Sequence, residues 1–164
     1  MGQYYYIVNL DKKQYLDPHA FGHGTKLLEF SCSQGGANTA LACLLANSNG
    51  RGGGDLHSEN PIVGSWAGDR IVVAGDYAEI GDRGELDDNE NLYGKCSKGT
   101  FENISYKIMV ALADDAYIYE ELEATAVSYK EWNDEHADRI LCALAESQTA
   151  IRKEEARQDN KVSV

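Results

Sequence analysis

Residues 31–55 read SCSQGGANTALACLLANSNGRGGGD, two glycines ahead of an apolar helical stretch and three after it. A strand, then Cys-Ser-Gln-Gly-Gly, then a helix start would present unpaired backbone N–H groups to an anion. On that reading Ser33, Gln34, Gly35 and Gly36 form one half of a phosphate or nucleotide cradle. Arg51, Gly52, Gly53 and Gly54 form the other, with Arg51 as countercharge. No Gly-Lys-Ser/Thr follows, so this is not a P-loop. It resembles the glycine-rich first turn of methyltransferases, but the glycine spacing is looser and no ribose-binding acid follows about 20 residues on. Glycine also serves any turn that needs positive φ, so tight turns around a buried helix explain the same residues.

Other candidate chemistry is sparser. His19, His23 and His57 are spaced for loops and match no zinc helix. Asp69, Asp76 and Asp82 with Arg70 offer a carboxylate cluster, or else solvated turn acids. Paired acids act as general acid and base only where their surroundings drive their pKa values apart. Ser31, Ser33 and Ser65 lack a GxSxG setting. Cys32, near a helix start, is the one candidate reactive thiol, with His19, His23 or His57 as a conceivable base. Cys32, Cys43, Cys96 and Cys142 form no CxxC pair, which argues against zinc and for reduced thiols, Cys43 and Cys142 in the core. His136, among Asp134, Glu135 and Asp138, reads as a surface residue. No cofactor and no metal is implied, and the balance leans away from an enzyme.

Charge is the strongest compositional signal. Residues 1–75 hold 6 acidic and 5 basic side chains, and residues 76–164 hold 21 and 10, so the net charge of −12 divides into −1 and −11. Such a surface repels nucleic acid, whose backbone is bound by Lys and Arg. It attracts a basic protein surface, including one built to hold nucleic acid. The acids that would form a partner-binding face are Asp76, Glu79, Asp82, Glu85, Asp87, Asp88 and Glu90 in an acidic loop over 76–90, then Asp114, Asp115, Glu120 and Glu121. A solubilising surface is the plainer reading of the same charges.

The elements that position these residues follow from periodicity. Tyr4–Leu10 is rich in aromatic and β-branched residues and predicts a strand, with Tyr5 facing opposite to Tyr4 and Tyr6. A polar turn and Gln14–Leu16 complete a hairpin, ended by Asp17-Pro18. His19–Gly24 is a loop, and Lys26–Cys32 predicts a short buried strand. Leu41, Leu44 and Leu45 predict a helix buried on most sides, capped by Asn38 or Thr39. Residues 62–78 predict two short strands about a turn at 67–69. Ile104, Ile108 and Leu112 predict a helix, 117–129 a second, and Ile140, Leu144 and Ile151 a third that frays over about 155–164. The expected architecture is one α+β domain over 1–164: an N-terminal hairpin and small mixed sheet around one buried helix, then a mainly helical C-terminal half.

The stretches GQYYYIVNLDKKQYLDP, KLLEF and GSWAGDRIVVAGDY resemble a group of short uncharacterised proteins of bacteria and their phages, over roughly residues 2–77. The resemblance implies a bacterial or phage origin and a compact N-terminal fold, and carries no catalytic residue with it.

No apolar run is long enough to span a membrane and no secretory leader is visible, so the expected location is cytoplasmic, in a bacterial host cell. The function expected is non-enzymatic binding: an acidic protein, as in phage-type inhibitors of host defence such as anti-CRISPR proteins, docking on a basic, nucleic-acid-handling partner without touching nucleic acid or membrane. The alternative is a nucleotide- or phosphate-binding protein, enzyme or sequestering sponge, using the two glycine loops.

Overall fold

A computed structural model describes residues 2–32, 34–82 and 89–162. Four strands form one mixed sheet: β1 (Tyr5–Asn9), β2 (Gln14–Leu16), β3 (Ile71–Gly75) and β4 (Glu102–Asn103), in the order β3-β1-β2-β4. β1 runs antiparallel to both β2 and β3, with Ile7 opposite Leu16 on one side and Val73 on the other. β2 and β4 are parallel. The hairpin turn closes through the buried Asn9 at the end of β1, whose Oδ1 accepts from the N–H groups of Asp11 and Lys12 at 3.0 and 2.8 Å.

Alternation along β1 sends residues to two separate cores. Ile7 and Leu16 join the main core with Phe21, Phe30, Leu44 and Trp66. Val8 and Tyr15 join a smaller core with Ala74, Leu92, Cys96 and Phe101 on the other face. The main core is built by α2 (Ala37–Leu45), α4 (Ser105–Leu112), α5 (Ala116–Tyr129) and α6 (Asp134–Val162). The sheet and helix content make this an α+β fold with strands toward the N-terminus and helices toward the C-terminus. Of these helices α4 is the most enclosed, burying Ser105, Ile108, Met109, Ala111 and Leu112. α5 buries a single stripe: Ile118, Leu122, Ala126 and Tyr129.

Several expectations are corrected. The segment Lys26–Cys32 is a one-turn helix, α1 (Leu27–Ser31), rather than a buried strand. Only Phe30 is buried, and Leu28 is 82% exposed. Glu29 Oε2 accepts from the Lys26 N–H at 3.1 Å, which satisfies an N-terminal donor that a strand would spend on a ladder. The first of the two strands expected around 67–69 is a chain of turns. Its N–H groups are spent on the last carbonyls of α2: Gly64 donates to Cys43 at 2.9 Å and Trp66 to Leu44 at 2.9 Å.

α2 is capped by the backbone of Gly36, with no side-chain cap. Asn38 and Thr39 instead serve the preceding turn, Asn38 donating to the Ser31 carbonyl and Thr39 accepting from the Gly35 N–H. α2 buries Ala37, Ala40 and Leu44 only, with Leu45 exposed, so it is one-faced rather than enclosed on most sides. A helix not anticipated, α3 (Asn89–Ser97), places Leu92 and Cys96 against the second face of the sheet. α6 is helical through Val162. Its 29 residues span about 43 Å at ~1.5 Å per residue. Among the described residues no helix is long and apolar enough to cross a membrane.

Candidate functional site

The glycine loops fold locally as turns in which the N–H groups of Gly35, Arg51 and Gly52 are already engaged. The N–H groups of Arg51 and Gly52 donate to Asp55 Oδ2 at 2.8 and 3.2 Å. The carboxylate three residues on thus takes the place a phosphate oxygen would take. Gly35 donates to Thr39 Oγ1 at 2.9 Å and holds φ +74°, and Gly36 opens α2. Ser33 lies outside the described residues. Gln34 and Gly54 do meet at one cavity of about 620 Å³ beside α2, but Asp55, Asp114 and Asp115 also line it and no Lys or Arg does. Arg51 is exposed and does not line it, and Gly53 is exposed in the turn.

The acids fall in two groups. Asp76 ends β3: its Oδ1 accepts from the Tyr4 N–H at 3.0 Å and its own N–H donates to the Tyr4 carbonyl. Asp82 Oδ2 accepts from the Glu79 N–H at 2.9 Å in an exposed turn. Glu85, Asp87 and Asp88, and the side chain of Glu90, lie outside the described residues.

The second group is carried by α5. Asp115 caps it, accepting from the Ile118 N–H at 3.0 Å. Asp114 Oδ2 is buried without a hydrogen-bond partner. Glu120 and Glu121 project from the helix, joined by Glu123, which the charge reading had not singled out. From residue 108 to 129 the chain contains no Lys, Arg or His. Among the described residues none of Asp114, Asp115, Glu120, Glu121 and Glu123 forms an ion pair, whereas Asp134 and Asp138 on α6 share Lys130 at 2.5 and 2.9 Å and Glu135 pairs with Arg139 at 3.1 Å. Val127, 68% exposed, and Tyr117 add apolar surface to the same outward face.

The Asp69, Asp76, Asp82 and Arg70 cluster does not assemble as a unit. Asp69 pairs with Lys12 and accepts from Asn9 Nδ2 at 2.7 Å. Arg70 holds Asp11 at 2.6 Å, and both carboxyls are driven below the usual range by these partners. Among the described residues no group of three or more His, Cys, Asp or Glu could hold a metal. Cys32 follows the end of α1 instead of opening α2. All four cysteines are free, with Cys96 buried, Cys43 partly buried and Cys32 and Cys142 exposed, so Cys142 is not the core thiol expected.

His136 is half-buried, with both ring nitrogens engaged. Its Nε2 meets the His19 carbonyl at 3.0 Å and its Nδ1 meets the Tyr106 hydroxyl at 2.5 Å. A carbonyl only accepts, so Nε2 carries the proton and Nδ1 accepts from Tyr106. Burial pushes the imidazole below the usual histidine pKa.

A groove of about 1150 Å³ went unforeseen because four separate chain segments build it. Ile62, Ile104, Val110 and Ala143 supply apolar wall, and Lys107 and Glu146 are among its charged lining.

Comparison with protein-family models, curated proteins and solved structures finds no match to this chain. The α+β fold and the geometry of these surfaces therefore carry the functional argument.

Proposed function

We propose that this is a binding protein whose acidic surface, centred on the outward face of α5, docks on a cationic protein surface. The observation that carries the reading is the run of carboxylates from Asp114 to Glu123, in a stretch without cations and in no ion pair among the described residues. Carboxylates arranged for surface stability alone gain from nearby Lys and Arg, as Asp134, Glu135 and Asp138 at the start of α6 do; unmatched ones repel each other and favour an external cation. Val127 and Tyr117 among them offer area to desolvate, which charge by itself does not. The partner class is a nucleic-acid-handling protein with a basic surface, and inhibition of a host defence protein by phage-type charge mimicry is the form this reading takes. A phosphate ligand between the glycine loops is the weaker reading, because Asp55, Asp114 and Asp115 line the cavity that such a ligand would enter.

The test is retention of proteins from a bacterial lysate on the immobilised chain at about 50 mM and about 500 mM salt, beside a Glu120→Lys, Glu121→Lys, Glu123→Lys variant. Exposed charges are screened within about 10 Å at 0.1 M salt and about 3 Å at 1 M. The reading expects basic partners held at low salt, released at high salt and lost by the variant. Retention that is indifferent to salt and to the three substitutions would refute it.

A further inference from the structure

At the end of the sheet where β1 begins and β2 finishes, a cavity of about 510 Å³ opens between α3 and the α5–α6 turn. Its walls are aromatic. Tyr6 and Tyr93 stack on one side with ring centroids 4.5 Å apart and planes at 17°. Tyr129 and Trp132 form the other, 4.5 Å apart, with His136 edge-on to Tyr129. Tyr4 also lines the space. Trp132 is 65% exposed, yet it is held in place: its indole N–H donates to the Ser128 carbonyl at 3.0 Å.

One carboxylate, Asp17, also lines this cavity. It accepts from the His19 N–H at 2.9 Å, and among the described residues it has no Lys or Arg partner. Burial raises its pKa, so its charge is under-compensated in this setting.

The polar groups of the walls are largely spent on one another. Tyr129 donates to the His19 carbonyl at 3.1 Å, Asn133 Oδ1 accepts from the His136 backbone N–H at 3.2 Å, and both ring nitrogens of His136 are committed. The cavity thus offers π-faces and one negative charge, but few free acceptors. A guanidinium brings five N–H donors that need partners. A quaternary ammonium brings charge and methyl groups with no donor, and aromatic faces attract it directly.

From the ring pairs Tyr6–Tyr93 and Tyr129–Trp132 around the Asp17 carboxylate, we infer that this cavity is an aromatic cage for a methylated ammonium group. Its volume falls in the range of small-molecule sites. The site goes beyond the docking face: Tyr129 belongs to the inward stripe of α5, while Glu120 and Glu123 point outward.

The experiment is calorimetric titration of the full chain with tetramethylammonium, choline and 3,3-dimethylbutanol, the neutral carbon counterpart of choline. Saturable one-to-one binding of both cations is expected, with the neutral compound weaker by roughly tenfold or more. Trp132→Ala and Asp17→Asn should each weaken choline by a similar factor. Glu155→Gln, at an exposed position of α6, should leave it unchanged, which separates the cage from general attraction to an acidic protein. A glycine-flanked trimethyllysine peptide run in parallel assigns the source: a stronger signal than choline points to a protein side chain, a weaker one to a free small molecule. No saturable binding of either cation, equal affinity for the neutral compound, or wild-type affinity in both Trp132→Ala and Asp17→Asn would overturn the assignment. Trp132 is solvent-facing and Asn can keep the His19 contact, so near-UV circular dichroism should match the parent in both variants.

Discussion

The indole N–H of Trp66 donates to Gln14 Oε1 at 2.9 Å, joining the turn segment before β3 to β2 across 52 positions of sequence. Trp66 is wholly buried, and its backbone N–H also closes the end of α2. One residue therefore ties hairpin, helix and turn together. Trp66→Ala should cost about 3–5 kcal/mol, read as a lower urea midpoint, because it combines a cavity with a stranded acceptor. A change below about 1 kcal/mol would mean that the segment 61–68 is not packed as described.

Gly64 and Gly68 make a matched pair. Both hold positive φ, +79° and +84°. A Cβ on Gly64 would meet the Ala46 carbonyl oxygen at 2.5 Å, whereas one on Gly68 meets nothing within 4 Å. Gly68→Ala should cost about 1–2 kcal/mol from backbone conformation alone. Gly64→Ala should cost clearly more, since the clash is with a backbone carbonyl and not with a flexible side chain that can turn away. Equal melting temperatures for the two variants would contradict this geometry.

Asp17 gives a pH signature. Its folded-state pKa is raised by burial, so the neutral acid is the better-tolerated form. The stability linked to it is fully present below the unfolded value of about 3.9 and is lost as pH rises through the folded value. Asp17→Asn removes that loss while keeping an acceptor for the His19 N–H. Its melting temperature should exceed the parent's at pH 7, and the gap should close below about pH 4. A lower melting temperature at pH 7 would show that the charge is compensated.

His136 has the opposite sign. Its pKa is lowered, burial being the main cause, with the nearby His19 and Arg139 charges acting in the same direction and Asp17 and the His19 carbonyl opposing them. The stability it contributes is present above the unfolded value of about 6.5 and is lost as pH falls through the folded value. Its NMR titration should show the Nε2–H tautomer and a midpoint below that of an ordinary histidine. A midpoint at or above about 6.5 would place His136 in solvent.

The C-terminal helices were legible because α4 and α5 each carry enough period to tell helix from strand, and α6 shows Ile140, Leu144 and Ile151 on one side. Lys26–Cys32 was too short for period to decide, and Leu27 and Leu28 are exposed rather than core. α3 hid in an acid-rich stretch where Leu92, Tyr93 and Cys96 were its only apolar signal. The −11 charge of the second half was visible, but not that Asp134, Glu135 and Asp138 are paired while, among the described residues, the acids from Asp114 to Glu123 are in no ion pair. The aromatic cavity could not be read at all: Tyr6, Asp17, Tyr93, Tyr129, Trp132 and His136 come from elements that only the tertiary fold brings together.

The docking face is tested most directly by a photo-crosslinking residue at position 127, beyond Glu120 and Glu123 on the exposed side of α5. Thr149, exposed on α6, serves as the control position. Illumination in a bacterial lysate at low salt should join position 127 to a basic, nucleic-acid-handling protein, with the product fading as salt rises and absent at position 149. No product from position 127, or the same products from both positions, would contradict the acidic face of α5 as the binding surface.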